Sequence, residues 1–170
     1  IQMLAYQTVN SHTLELLKKL TNEEFLSKAR LVGGTALALQ YGHRISIDLD
    51  FFGNIEEDNE TIKEILINIG KLSVIKESKN IKIYILDDIK IDFVNYRYNW
   101  LDPAIEENGI RLASPRDIAA MKINAIEGRG RHYKIFCVNG NTGFRNESRI
   151  FYFIHLQNEE AYERKESSSA

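Results

Sequence analysis

The stretch VGGTALALQYGHRISIDLDFF, residues 32–52, holds a glycine pair, a run of helix formers and two aspartates two positions apart. Just before it, ARLV (29–32) predicts a short buried strand that runs into Gly33 and Gly34. Thr35 to Tyr41 predicts a short helix, because Ala and Leu favour helix and Gly42 sits where a left-handed stop is needed. From Ile45 the period changes to two. Ile45, Ile47, Leu49 and Phe51 alternate with Ser46, Asp48 and Asp50, which predicts a strand with one buried and one polar face. Residues two apart on a strand point the same way, about 7 Å apart. Asp48 and Asp50 can therefore present both carboxylates to one cavity.

Outward from this stretch the chain alternates helical and extended patterns. His12 to Lys28 carries Leu14, Leu17 and Leu20, then Phe25 and Leu26 after a polar TNEE, predicting two helical pieces with a break. NETIKEILINIG places Ile62, Ile65, Leu66 and Ile69 at helical spacing, with Gly70 as the stop. NIKIYIL and IKIDFVNY are β-branched and aromatic, and Asp87 and Asp88 between them predict a hairpin. In the second of these strands Ile89, Ile91 and Phe93 share one face, and Lys90, Asp92 and Val94 share the other. After a loop around Asp102 and Pro103, SPRDIAAMKINAIE opens with Ser114 as N-cap, Pro115 at the first helical position and Asp117 in the first turn. A helix to about Glu127 follows.

Composition narrows the classes. The 170 residues are 44% hydrophobic and 27% charged, which suits one globular domain with a real core. The net charge of -2 gives no whole-protein attraction to nucleic acid, so an RNA contact would need a local patch, for which GRGRHYK (128–134) is the candidate. The lone Cys137 excludes an internal disulfide framework and reads as a buried thiol in a reducing compartment. No apolar stretch reaches membrane-spanning length and no leader opens the chain, so a cytoplasmic protein without membrane contact is expected.

Taken singly, a Gly-Gly pair is a turn, Asp-x-Asp a solvated strand face and Asp92 a surface residue. Their order and short spacers point to chemistry. Clustered carboxylates repel and resist ionisation unless a cation neutralises them, so Asp48, Asp50 and Asp92 together suit a divalent metal. Mg²⁺ favours such hard oxygen ligands and serves phosphoryl transfer, with Mn²⁺ as the alternative. Gly33, Gly34 and Thr35 at a helix start suit phosphate.

LVGGTALALQYGHRISIDLDFF and SPRDIAAMKINAI resemble the AbiEii-type nucleotidyltransferases, the toxin components of type IV toxin–antitoxin systems, within the DNA polymerase β-like superfamily. The resemblance covers roughly residues 25–131. It implies an α+β fold, a mixed sheet flanked by helices, with an NTP and Mg²⁺ as reactants and an antitoxin protein as a partner. It places Gly33, Gly34 and Thr35 on the triphosphate, Asp48 and Asp50 on metal, and Asp92 as the third carboxylate. Lys122 matches the family's motif lysine. On the predicted helix its stem lies at the edge of the apolar stripe, and its ammonium would neutralise phosphate. Arg44 and Ser46 also match as nucleotide-binding positions, although Arg44 equally suits a pairing with a nearby carboxylate.

The chain departs from the family after GRGR. An acidic helix is expected there, yet residues 130–144 contain no Asp or Glu. The expected organisation is thus a nucleotidyltransferase-like domain over 1–134 and a divergent segment over 135–170, altered relative to the family as a frameshift would alter it. Two functions stand: a Mg-dependent transferase moving a nucleotide from NTP to an acceptor, with tRNA plausible from relatives; or a degenerate module that binds NTP or antitoxin.

Overall fold

The computed structural model describes residues 4–127. The chain divides into two units, Ile1–Ser114 and Pro115–Ala170. The predicted boundary at residue 134 and the divergent segment after it lie outside the described residues. So do Cys137 and the GRGRHYK patch.

The first unit is built on a seven-stranded mixed sheet. Its strands are β1 (Ala29–Val32), β2 (Leu49–Gly53), β3 (Leu72–Glu77), β4 (Ile81–Leu86), β5 (Ile89–Asn95), β6 (Ile105–Glu107) and β7 (Ile110–Leu112), in the order β3-β4-β5-β2-β1-β7-β6. The pairs β2–β5 and β1–β7 are parallel and the other four antiparallel. Three helices belong to this unit: α1 (Ser11–Thr21), α2 (Gly33–Tyr41) and α3 (Asn59–Ile69). The second unit begins with α4 (Pro115–Glu127), the helix that the Ser-Pro start predicts.

Local chemistry accounts for most boundaries. Asn10 Oδ1 accepts the Thr13 N–H at 2.7 Å to start α1, and Asp58 Oδ1 accepts those of Glu60 and Thr61 at 2.9 and 3.0 Å to start α3. Gly42 ends α2 in the left-handed region at φ 69°. Asp87 and Asp88 both have positive φ, which gives the β4–β5 connection the twist a two-residue hairpin needs. One sheet face carries the core. Leu49, Phe51, Tyr84, Ile91 and Phe93 are buried there, and Phe93 packs edge-on against Phe25 with ring centroids 5.5 Å apart.

Two expectations are corrected, and two further elements were not foreseen. The strand expected from Ile45 begins only at Leu49, and Ile45 and Ile47 are 72% and 56% exposed. Residues 45–48 are held by other partners: Ser46 N–H donates to the Thr8 carbonyl at 3.0 Å, so the segment leaves the sheet. The second helical piece expected before Lys28 is a single 3-10 turn, Glu24–Leu26, which still buries Phe25 and Leu26. The loop expected around Asp102 is followed by the β6–β7 hairpin, whose Asn108 and Gly109 stand at φ 51° and 78°. Strand β3 is likewise unforeseen. It is an edge strand with Val74 and Ile75 exposed, and its register against β4 shifts between Val74 and Lys76.

One buried charge sets a cost. Lys82 on β4 is only 3% exposed and opens onto a cleft of about 560 Å³ at the ends of β2 and β5. The carboxylates that act on it have other partners: Glu77 accepts the Tyr84 hydroxyl at 2.8 Å and meets Lys63 at 3.6 Å, while Asp58 caps α3. Burial pulls the Lys82 ammonium below its ordinary range, against the opposing pull of Glu77 and Asp58. The native state therefore releases its proton before the unfolded chain does, and stability rises with pH between the lowered value and 10.5. Lys82→Met is expected to stabilise the protein by about 1–2 kcal/mol at pH 7, with the gain shrinking as pH climbs towards 10.5, in urea melts at several pH values.

Candidate functional site

The parallel register of β2 and β5 pairs Asp50 with Asp92, flanked by Leu49 with Ile91 and Phe51 with Phe93. Because the flanking pairs fill the core face, the two aspartates stand side by side on the other face. Strand β1 continues the arrangement, with Val32 opposite Asp50. The chain then turns through Gly33 into α2.

Gly33 is required twice over. Its φ of 70° disfavours any side chain, and a Cβ there would collide with Asp50 Oδ2. At Gly34 a Cβ would strike Arg44 Nη2 and lie 3.3 Å from Ser46 Oγ. The turn, the guanidinium of Arg44 and the Asp50 carboxylate are therefore packed at van der Waals range. No side chain caps the start of α2, so its first backbone N–H groups are not taken by a capping residue.

The Thr35 side chain belongs to the scaffold of this turn. It is 1% exposed, and its hydroxyl bonds both Ser46 Oγ at 2.8 Å and the Asp48 carbonyl. A carbonyl can only accept, so Thr35 donates to Asp48 and Ser46 donates to Thr35. This pair pins the 46–48 segment against α2. Asp48 lies one residue ahead of β2 and is exposed, so it does not share the strand position of Asp50. Lys122 is exposed on α4 in the second unit.

Lys90 is a site residue that the sequence reading left out. Its Nζ lies 2.6 Å from Asp92 Oδ1. Burial lowers its affinity for the proton, but the Asp92 hydrogen bond and the charges of Asp92, Asp50 and Asp48 outweigh that, and the net shift is upward. The three carboxylates thus act on one ammonium. The signal was available in the strand period, which puts Lys90 and Asp92 on one face. Among the described residues no group of three or more His, Cys, Asp or Glu side chains is gathered closely enough to hold a metal ion. Asp50 and Asp92 form a pair of hard oxygen donors with the charge of Asp48 nearby.

A glycine turn opening a helix beside paired strand carboxylates, on a mixed sheet, defines a nucleotidyltransferase-type fold. Two solved structures share it. One is a protein of H. pylori designated a candidate nucleotidyltransferase, with TM-score 0.50 and 19% identity over 89% of this chain and 67% of that one. The other is ANT(2")-Ia in complex with adenylyl-2"-tobramycin, with TM-score 0.50 and 14% identity over 83% and 87% of the two chains. The family model "Nucleotidyl transferase AbiEii toxin, Type IV TA system" matches residues 15–134, and the chain belongs to that family. An uncharacterized protein of Aquifex aeolicus (strain VF5) is 38% identical over 120 residues, 68% of this chain. The chain spans 58% of the length of that relative.

Two measurements test this geometry. Gly33→Ala is expected to destabilise the fold by about 1–3 kcal/mol in denaturant melts, since a methyl group is forced into the left-handed region against Asp50. In Asp92→Asn the Lys90 pKa is expected to fall, because the hydrogen-bonded anion is lost while burial remains. NMR titration of the lysine side-chain methylene next to Nζ reads that shift directly.

Proposed function

We propose that the chain is a metal-dependent nucleotidyltransferase that moves a nucleotide from an NTP to an acceptor. The observation that carries this reading is the Asp50–Asp92 pair, in register on parallel strands, with Asp50 packed against the glycine turn. Two carboxylates side by side call for positive charge, and Lys90 already answers that call at 2.6 Å from Asp92. Their all-oxygen donor set fits a hard divalent ion, Mg²⁺ or Mn²⁺. When bound, such an ion neutralises phosphate charge and aligns the entering and leaving oxygens.

The protein's own groups do the rest. Asp50 and Asp92 hold the cation, with Asp48 supplying a third carboxylate from the chain leading into β2. The backbone N–H groups at Gly33 and Gly34 take phosphate oxygens, aided by the positive end of α2. Arg44, packed on Gly34, adds fixed positive charge to the same turn, and Ser46 and Thr35 hold the segment that carries Asp48. Family resemblance adds Lys122 as a further phosphate-neutralising cation. Most of the catalysis then comes from electrostatic positioning. The family supports an antitoxin protein as partner, and tRNA is the acceptor to test first.

The expected result is that Asp50→Asn combined with Asp92→Asn lowers Mg²⁺-dependent transfer from α-labelled NTPs to bulk tRNA by at least about 100-fold, with the melting transition preserved. Undiminished transfer in that variant rules the mechanism out. The acid-free stretch 130–144 favours a second reading, a degenerate module that binds NTP without transferring it. Saturable NTP binding in calorimetry with no transfer by the wild type would select it.

A further inference from the structure

The sheet face that carries Asp50 and Asp92 continues into a cluster of rings. Phe52 follows Asp50 on the same face of β2, two residues and about 7 Å further along. Its ring lies 5.9 Å from that of Tyr96, which meets Trp100 at 4.8 Å and Tyr98 at 5.4 Å. Arg30, opposite Phe52 on β1, lays its guanidinium over Trp100 at 4.2 Å from the ring centre. The Arg30 Nη1 also donates to the Asp102 carbonyl at 2.8 Å, which fixes the guanidinium in place. The cation and Tyr96 thus brace Trp100, while Tyr98 is 66% exposed.

Position assigns the occupant. The glycine turn packs on Asp50 from the end of β1, and the rings lie on the opposite side of Asp50 along β2. In-line displacement puts the leaving pyrophosphate and the entering oxygen on opposite sides of the α-phosphate. With the phosphates at the glycine turn, the entering group approaches from the side of the rings. We infer that Tyr98, Tyr96 and Trp100, braced by Arg30, form a stacking platform for a nucleobase at the single-stranded end of a nucleic-acid acceptor. The inference rests on the transferase reading for its direction. Aromatic faces bind bases with little regard to sequence, and the braced guanidinium adds cation–π attraction.

Trp100 is the only tryptophan in the chain, so its emission reports the platform. Titration of the full chain with octa-adenylate RNA in EDTA, without NTP, is expected to quench that emission saturably. Tyr98→Ala should weaken binding by about 5- to 50-fold, while Tyr98→Phe, which keeps the ring, should bind like wild type. No quenching of the wild type, or equal affinity in Tyr98→Ala, overturns the platform. Equal quenching by ATP alone, lost equally in Tyr98→Ala, would give the rings to the donor base and overturn the acceptor assignment. The Asp50→Asn, Asp92→Asn variant should retain the RNA quench, so failure of transfer and failure of the platform are read separately.

Discussion

The parallel pairing of β2 with β5 is the constraint on which the site depends. It puts Asp50 beside Asp92 on the face opposite Phe51 and Phe93, and two anions so placed need positive charge near them. Lys90 supplies one such charge from within the sheet. Shifting β2 by one residue against β5 would turn Asp50 into the core and Phe51 out of it, and the carboxylate pair would be lost. The aromatic packing of Phe93 with Phe25, Phe51 and Tyr84 therefore does more than bury area. It holds the register that makes the carboxylate pair.

The glycine turn shows the same economy of position. Gly33 lets the Asp50 carboxylate lie where a side chain would otherwise be, and Gly34 admits Arg44 in the same way. Negative and positive groups thus approach the first turn of α2 from two sides. Thr35, buried and bonded to Asp48 and Ser46, belongs to the scaffold of this turn more than to its surface. Residues of one motif divide between contact and support, which composition and spacing do not distinguish.

Where the sequence could be read, a local rule governed the outcome. The ARLV strand, the helix ended by Gly42, the Asp87–Asp88 hairpin and the Ser-Pro helix start each depend on neighbours in the chain. The β6–β7 hairpin was legible too, since Asn108-Gly109 is a strong turn signal between apolar residues, but the neighbouring Asp-Pro loop masked it. Residues 45–48 were illegible for a physical reason. Their alternation is that of a strand, yet a bond from Ser46 to Thr8, distant in sequence, takes them out of the sheet. Of the site, the aspartates and glycines could be read from spacing, whereas Lys90 and the ring cluster needed strand register and tertiary contact.

The bulge in β3 bears on how the molecule behaves at high concentration. An edge strand with Val74 and Ile75 outward offers open backbone groups to any extended segment that drifts past. The shift between Val74 and Lys76 breaks the spacing of those groups halfway along, and Lys76 sets a charge beside the break. A stranger strand can follow only a few residues before it falls out of step. The edge thereby presents two short ladders out of step with each other in place of one continuous template.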